Sequence, residues 1–134
     1  MIVIVDASVA VKWVLPEPDS ALATALRQPG DALIAPSLVI AEIGNALWKS
    51  ALRGDISKAN ATSALEIAVS HYARIEPLDQ LAARATELAI ALRHPIYDCF
   101  YLALAERERA PIVSADAKLL AAAKRMKGIK ARAL

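Results

Sequence analysis

The sequence predicts an α/β fold, in which a short-stranded parallel sheet is flanked by helices as an α/β/α sandwich. Short apolar, β-branched segments alternate along the chain with longer helix-type segments, and this alternation is typical of parallel β–α–β units. The apolar share of 57% is enough to build a buried core, which excludes intrinsic disorder. A length of 134 residues suits one core, so a single domain over residues 1–134 is expected.

Prolines and glycines divide the first part of the chain into short elements. Residues 1–5 are apolar and mostly β-branched, a run long enough for a buried strand and too short for a helix. Ser37 is placed as the N-cap of a long helix that Gly54 ends. The elements predicted here are a strand over 1–5, helices over 7–15 and 17–28, a strand over 32–35 and a helix from 37 to about 53.

The second part of the chain repeats the alternation, with three helices that begin at capping residues. Ser57, Asp79 and Asp116 each precede a helix-type segment and are expected as N-caps. The elements predicted here are helices over 57–72, 79–93, 96–109 and 116–127, a weak strand over 74–76, a strand at 112–113 and a last short strand over 129–132.

Composition and charge exclude or disfavour several classes of protein. Charged residues interrupt every apolar run well before the roughly 20 apolar residues of a membrane span, so no membrane association is expected. The opening apolar residues lack the preceding basic segment of a secretory signal. Cys99 is the single cysteine, which favours a reducing, cytoplasmic compartment. The net charge of +2 is weak evidence for a polyanionic partner. The basic residues after Asp116 are typical of a solvated helix face, and phosphate contact stays open for them as it does for Lys12 and Arg93.

Two aspartates follow predicted strands, where ligand sites lie in parallel α/β sheets. Asp6 comes directly after the first strand, and Asp116 follows the strand at 112–113 by two residues that include Ser114. Each is also a good helix N-cap, and capping alone explains either residue taken singly. The strand-end position and the capping role therefore both stay open for these two acids.

Two further acids lie within predicted helices in apolar surroundings. Glu42 is the only charged residue between Asp31 and Lys49, and Asn45 shares its helix face. Asp98 lies early in a helix that is apolar on nearly every side until Glu106. An ordinary solvated face would explain Glu42, and a favourable helix-dipole interaction would explain Asp98. A carboxylate among apolar residues is nevertheless costly unless it is paired, hydrogen-bonded or bound to a metal.

The four acids come from different elements and have no histidine–cysteine set beside them. If they converge, their oxygens suit Mg²⁺ or Mn²⁺ and disfavour zinc. Convergence without a cation would raise some of their pKa values through mutual repulsion. A shared cleft for Asp6, Glu42, Asp98 and Asp116 therefore implies a divalent metal.

Four short motifs, in this order and at these spacings, resemble those of PIN-domain nucleases, with the VapC toxins of VapBC toxin–antitoxin systems as the nearest likeness. The motifs are Asp6-Ala-Ser8, Glu42-x-x-Asn45, Tyr97-Asp98 and Ser114-x-Asp116, and the likeness extends from residue 2 to about 129. The resemblance implies a PIN-like domain and an endoribonuclease that uses Mg²⁺ or Mn²⁺. It makes Asp6, Asp98 and Asp116 the expected metal ligands, with Glu42 binding the metal or orienting water. Ser8, Asn45 and Ser114 are the expected polar support.

The same resemblance implies an RNA substrate, a homodimer and a VapB-like antitoxin that blocks the cleft. Some relatives carry a further acid after the last motif, whereas Ala117 and Lys118 follow here, so the number of metal ions stays open. Two other functions also stay open: a stand-alone PIN-type RNA-processing nuclease, and a non-catalytic α/β interaction module whose acids serve as caps. His71 and His94 are interpreted as cap or surface residues.

Overall fold

Five parallel strands form one sheet at the centre of the molecule, and the computed structural model describes every residue from Met1 to Leu134. The strands lie in the order β3–β2–β1–β4–β5. Their bounds are Ile2–Val5 for β1, Ala32–Pro36 for β2, Arg74–Glu76 for β3, Ile112–Ser114 for β4 and Ala131–Ala133 for β5. The predicted α/β class and parallel sheet are confirmed, and all five predicted strands are present.

The central strand β1 owes its position to its continuous apolar sequence. Val3, Ile4 and Val5 are almost completely buried. Ile4 pairs with Ile34 of β2 on one side and with Ile112 of β4 on the other. A strand that is covered on both faces must be apolar at successive positions rather than at alternate ones. The unbroken apolar run of β1 satisfies this requirement.

Seven α-helices flank the sheet. Their bounds are Ala7–Ala10 for α1, Ser20–Ala25 for α2, Leu38–Leu52 for α3, Lys58–Ser70 for α4, Ala82–Leu92 for α5, Ile96–Glu108 for α6 and Ala117–Lys124 for α7. Helix α6 packs against β1 and β2, and α7 packs against β4 and β5. Helices α3 and α4 pack on each other, as do α5 and α6. No helix is both long enough and apolar enough to cross a membrane.

The first two helices are shorter than the sequence predicts. Only Ala7–Ala10 is α-helical in the segment 7–15, and a 3₁₀ turn over Val11–Trp13 follows it. The segment 17–28 forms a helix only from Ser20 onward. The Ser20 hydroxyl donates to the Leu15 carbonyl oxygen at 3.0 Å and accepts from the Glu17 amide at 3.0 Å. These bonds hold the preceding residues as a turn, since serine competes with helical hydrogen bonding in this way.

Two of the four predicted helix caps are confirmed and two are wrong. Ser57 accepts a hydrogen bond from the Asn60 amide at 3.1 Å, and Asp116 accepts one from the Lys118 amide at 2.9 Å. Ser37 precedes α3, but its own backbone is already helical and its side chain makes no capping bond. Asp79 lies inside a 3₁₀ turn, Leu78–Gln80, so α5 begins only at Ala82.

The topology fixes where a site can form. Because all strands are parallel, their carboxyl ends meet at one edge of the sheet. The neighbouring strands β1 and β4 bring Asp6 next to the Ser114–Asp116 segment, although more than 100 residues separate them in sequence. This edge is where the predicted acidic residues are to be sought.

Candidate active site

Asp6 is a buried carboxylate that two serine hydroxyls hold in place. Its side chain follows β1 and is only 5% exposed. The Ser8 hydroxyl donates to Oδ1 at 2.7 Å, and the Ser114 hydroxyl donates to Oδ2 at 2.7 Å. Burial raises the pKa of Asp6 to about 6, although these hydrogen bonds act in the opposite direction. Asp6 also occupies the N-cap position of α1 in an extended backbone conformation, and the nearby Val9 amide favours its charged form, so the N-cap position and a site role are compatible for this residue.

The same two serines join the loops that follow β1 and β4. The Ser8 hydroxyl accepts from the Ala115 amide at 2.9 Å, and the Ser114 hydroxyl accepts from the Asp116 amide at 2.9 Å. Asp116 uses Oδ1 to cap α7, which leaves its other oxygen without a protein donor. A helix cap and a site residue are therefore compatible roles for Asp116. The charge of Asp116 also contributes to the raised pKa of Asp6, so the two acids lie near each other.

Glu42 faces the other three acids from helix α3. Burial is the largest cause of its raised pKa, and the charges of Asp6, Asp98 and Asp116 raise it further. The buried Tyr101 hydroxyl donates to Glu42 Oε1 at 2.6 Å. Sequence reasoning did not identify this contact. Its one signal is that Tyr101 lies three residues after Asp98 on α6, which gives both side chains the same helix face.

Asp98 lies in the first turn of α6 and is paired with a histidine. His94 Nε2 lies 2.6 Å from Asp98 Oδ2, and the His94 side chain is only 15% exposed. The predicted cap role of His94 is confirmed at its backbone, since its amide donates to the Ala89 carbonyl oxygen at the end of α5, but its side chain contacts Asp98 and is not a surface group. The backbone of Arg93 has a positive φ of 51° and reverses the chain after α5, which directs His94 towards α6. The spacing of four residues between His94 and Asp98 is the signal that could have identified the pair.

Two clefts border the acids, and each lies against a different pair of helices. One, of about 320 Å³, lies between α1 and α3 and is lined by Ser8, Glu42, Asn45 and Lys49 among others. Asn45 thus shares a cleft with Glu42, but its amide makes no hydrogen bond to any of the four carboxylates. The other, of about 340 Å³, lies between α6 and α7 and is described below. We call them the α1–α3 cleft and the α6–α7 cleft.

The α6–α7 cleft combines acidic and basic groups. Its lining includes His94 and Asp98 from the α6 side and Lys118 and Arg125 from the α7 side. Glu42 lies in the wall of the first cleft, Asp98 lies in the wall of the second, and the charges of these two acids act on each other. The acids therefore lie between the two clefts.

The donor set is suited to a hydrated divalent ion. All four acidic donors are hard carboxylate oxygens, and Glu42, Asp98 and Asp116 each keep one oxygen that accepts no protein hydrogen bond. No three His, Cys, Asp or Glu side chains are close enough to hold one ion together as they stand. Mg²⁺ commonly keeps several waters and takes only one or two carboxylates directly, so these residues fit it. They do not fit the closed nitrogen and sulfur sites of structural zinc.

Comparison with known proteins defines the class of this chain. A model of the PIN-domain family matches residues 3–125. The chain therefore belongs to the PIN-domain family.

Within that family, the chain is similar to several VapC proteins. It is 29% identical to Ribonuclease VapC3 of Pyrobaculum aerophilum over 121 residues, which cover 89% of this chain and 92% of the relative. It is 36% identical to Ribonuclease VapC1 of Mycobacterium tuberculosis over 90 residues, covering 66% and 65% of the two chains. The fold also matches a chain in the crystal structure of VapBC2 from Rickettsia felis, a structure in which VapBC2 is bound to a DNA fragment from the promoter. The TM-score is 0.74 at 19% sequence identity, and the match covers 100% of this chain and 99% of that chain.

Proposed function

We propose that this protein is a metal-dependent endoribonuclease that hydrolyses phosphodiester bonds of RNA and acts as the toxin of a VapBC-type pair. The observation that carries the proposal is the group of four carboxylates near the carboxyl edge of the sheet: Asp6 is bonded to Ser114, and the charges of Asp6, Asp98 and Asp116 all raise the pKa of Glu42. Its setting adds support, because the chain is a PIN-domain protein similar to relatives named Ribonuclease VapC.

In the proposed mechanism, Asp6, Asp98 and Asp116 would hold Mg²⁺ or Mn²⁺, one or two of them directly and the rest through waters of the ion. A divalent ion held by these residues would supply charge neutralisation of the phosphate, a more acidic water and stabilisation of the leaving oxygen. Glu42 contributes Oε2, which has no protein donor, to orient the attacking water and accept its proton. Attack by water, rather than by the RNA 2′-hydroxyl, leaves a 5′-phosphate and a 3′-hydroxyl.

The remaining polar residues keep the carboxylates in position. Ser8 and Ser114 each donate to one oxygen of Asp6, so its carboxylate plane is fixed. His94 restrains Asp98, and Tyr101 restrains Glu42. In this proposal Asn45 contacts the substrate or a bound water rather than a carboxylate, since it lines the α1–α3 cleft without an acidic partner.

We expect Tyr101→Phe to lower kcat by about 10–100-fold with little change in KM, because Glu42 loses the donor that orients it. The matched control is Tyr97→Phe on the same helix, where the hydroxyl is exposed and makes no hydrogen bond. Steady-state cleavage of one RNA by the three proteins makes the comparison. Equal kcat values for Tyr101→Phe and Tyr97→Phe would show that Tyr101 does not position Glu42.

A protein partner is part of the proposal. An apolar groove of about 290 Å³ lies between α3 and α4, and the side chain of Trp48 at its edge is 56% exposed. Solved structures with this fold include a toxin–antitoxin complex from Klebsiella pneumoniae. We propose that a VapB-like antitoxin covers apolar surface of this kind and that the toxin forms a homodimer.

The test is an RNA cleavage assay with total cellular RNA. We expect EDTA to abolish cleavage and added Mg²⁺ or Mn²⁺ to restore it, because the carboxylates repel the phosphate without a cation. Mapping of the cut ends should give 5′-phosphate and 3′-hydroxyl termini. Full activity in EDTA, with 2′,3′-cyclic phosphate ends, would contradict the metal mechanism.

A further inference from the structure

Three exposed cations lie in the clefts beside the acids and have no acidic partner within 4 Å. Lys49 lines the α1–α3 cleft, while Lys118 and Arg125 line the α6–α7 cleft. Other cations of this chain do find partners: Arg84 and Arg107 each form ion pairs with two glutamates. The three cleft cations are thus positive groups left available to a ligand.

The two cations of the α6–α7 cleft are arranged on one helix face. Lys118 and Arg125 are seven residues apart, and Ala121 and Ala122 between them line the same cleft with small side chains. Arg125 donates through Nη1 to the Leu92 carbonyl oxygen at 2.7 Å, at the end of α5. This bond fixes the guanidinium and leaves its other nitrogens free. Lys118 is fixed at its backbone by the Asp116 cap and keeps a free ammonium.

Charge opposes the entry of a nucleic acid at the centre of the site. Four carboxylates lie between the two clefts, and a polyanion that crossed them without help would be repelled. Cations on both sides offset that repulsion where the flanking phosphates would lie. Because the two clefts share no lining residue and lie against different helices, we treat them as places for two different phosphates.

We infer that an RNA strand crosses the acidic site through both clefts, with one flanking phosphate held by Lys49 and another, on the opposite side, held by Lys118 and Arg125. This inference rests on the proposed nuclease function. It assigns the α6–α7 cleft as a phosphate-binding subsite and makes the minimal good substrate one that has phosphates on both sides of the cut. A dinucleotide, with its single phosphate, would lack both flanking contacts and be cleaved poorly.

The experiment pairs protein variants with modified RNA. An oligonucleotide with one mapped cut site is synthesised with a neutral methylphosphonate at the linkage before or after the cut. Wild type, Lys49→Ala, Lys118→Ala and Arg125→Ala are assayed on each substrate for kcat and KM. The control is Lys124→Ala, since Lys124 lies about a third of a turn round α7 from Lys118 and lines neither cleft.

We expect each cleft variant to lower kcat/KM about tenfold, mainly through KM, while Lys124→Ala keeps the wild-type value. Neutralising one flanking phosphate should lower wild-type kcat/KM by a similar factor but have little further effect on Lys118→Ala or Arg125→Ala. Neutralising the phosphate on the other side of the cut should also lower wild-type kcat/KM, but should have little further effect on Lys49→Ala alone. This crossed pattern identifies which cation binds which phosphate.

The subsite would be overturned if every protein variant and every neutralised phosphate lowered kcat/KM by independent factors that multiply. It would also be overturned if Lys124→Ala lowered kcat/KM as much as the cleft variants do. Lys118 has no side-chain partner in the protein, so its variant tests the inference even if Arg125→Ala is unstable. A wild-type protein that cleaves no RNA with any divalent metal would overturn the proposed function itself. An active wild type without the crossed pattern would overturn only the inference.

Discussion

Asp6→Asn should lower the rate of RNA cleavage by about a thousandfold or more while leaving the protein folded. The substitution keeps the shape of a side chain that is 5% exposed, but removes the charge that would neutralise a divalent ion. Loss of several kcal/mol of transition-state stabilisation corresponds to a factor of this size. Initial rates on a defined RNA at saturating Mg²⁺ make the measurement.

A matched control is Asp55→Asn, because Asp55 is exposed and paired only with Arg53 at 3.0 Å. This variant should cleave RNA at the wild-type rate. Comparable activity in Asp6→Asn and Asp55→Asn would exclude Asp6 from the catalytic site.

The same pair of variants distinguishes a toxin from a stand-alone processing nuclease in cells. Expression of the wild-type chain should arrest growth, Asp55→Asn should arrest it equally, and Asp6→Asn should not. Co-expression of a cognate antitoxin should relieve the arrest. Normal growth at full accumulation of an RNA-cleaving protein would favour the processing nuclease instead.

In metal-free buffer, Asp6→Asn should gain stability relative to wild type as the pH rises from 4 to 8, by up to about 3 kcal/mol. Burial raises the pKa of Asp6 from 3.8 to about 6, so the folded protein binds this proton more tightly than the unfolded chain does. Below pH 3.8 the carboxyl is neutral in both states and costs nothing. As the pH rises from 3.8 through about 6, the wild type loses this stability, and above that range the loss is constant.

Chemical unfolding of wild type and variant in EDTA, from pH 4 to pH 8, measures this difference directly. The curve of the variant minus the wild type should rise with pH and level off above about 6. The control is Glu76→Gln, because Glu76 is also buried but pairs with Arg74 at 2.9 Å and Arg107 at 3.0 Å. That variant should lose stability. A pH-independent difference for Asp6→Asn would show that Asp6 is not a strained carboxylate.

Chain order and apolar pattern were enough to predict the sheet and the edge at which the acids meet. The run that forms β1 is apolar at successive positions, so a buried central strand followed by Asp6 could be predicted. The apolar pair at 112–113 predicted a second buried strand in the same way, with Asp116 shortly after its end. Because parallel strands align their carboxyl ends, Asp6 and Ser114 could be placed at one edge of the sheet, whereas their direct contact depends on the adjacency of β1 and β4, which only the structure shows.

Contacts that depend on side-chain direction between elements could not be predicted in this way. Tyr101 was indistinguishable from a core aromatic until its hydroxyl was seen to reach Glu42 on another helix. The direction of the His94 side chain depends on the chain reversal at Arg93. Nothing in the sequence marks this reversal, because Arg93 is a non-glycine residue with a left-handed backbone. The turn held by Ser20 likewise shortened α2 through local hydrogen bonds that compete with helix propensity.

The central claim is that Asp6, Glu42, Asp98 and Asp116 form one divalent-ion site, and thermal melting with Mg²⁺ tests it most directly. Asp98→Asn keeps the shape of the side chain and an oxygen that can accept a hydrogen bond from His94, but it removes one of the four charges of the proposed ion site. An ion that binds only the folded state stabilises it by about 2.7 kcal/mol at a hundred times its Kd. At fixed ionic strength, increasing Mg²⁺ should therefore raise the Tm of wild type by several degrees and that of Asp98→Asn much less. Two melting curves that stay parallel at every Mg²⁺ concentration would contradict the shared site.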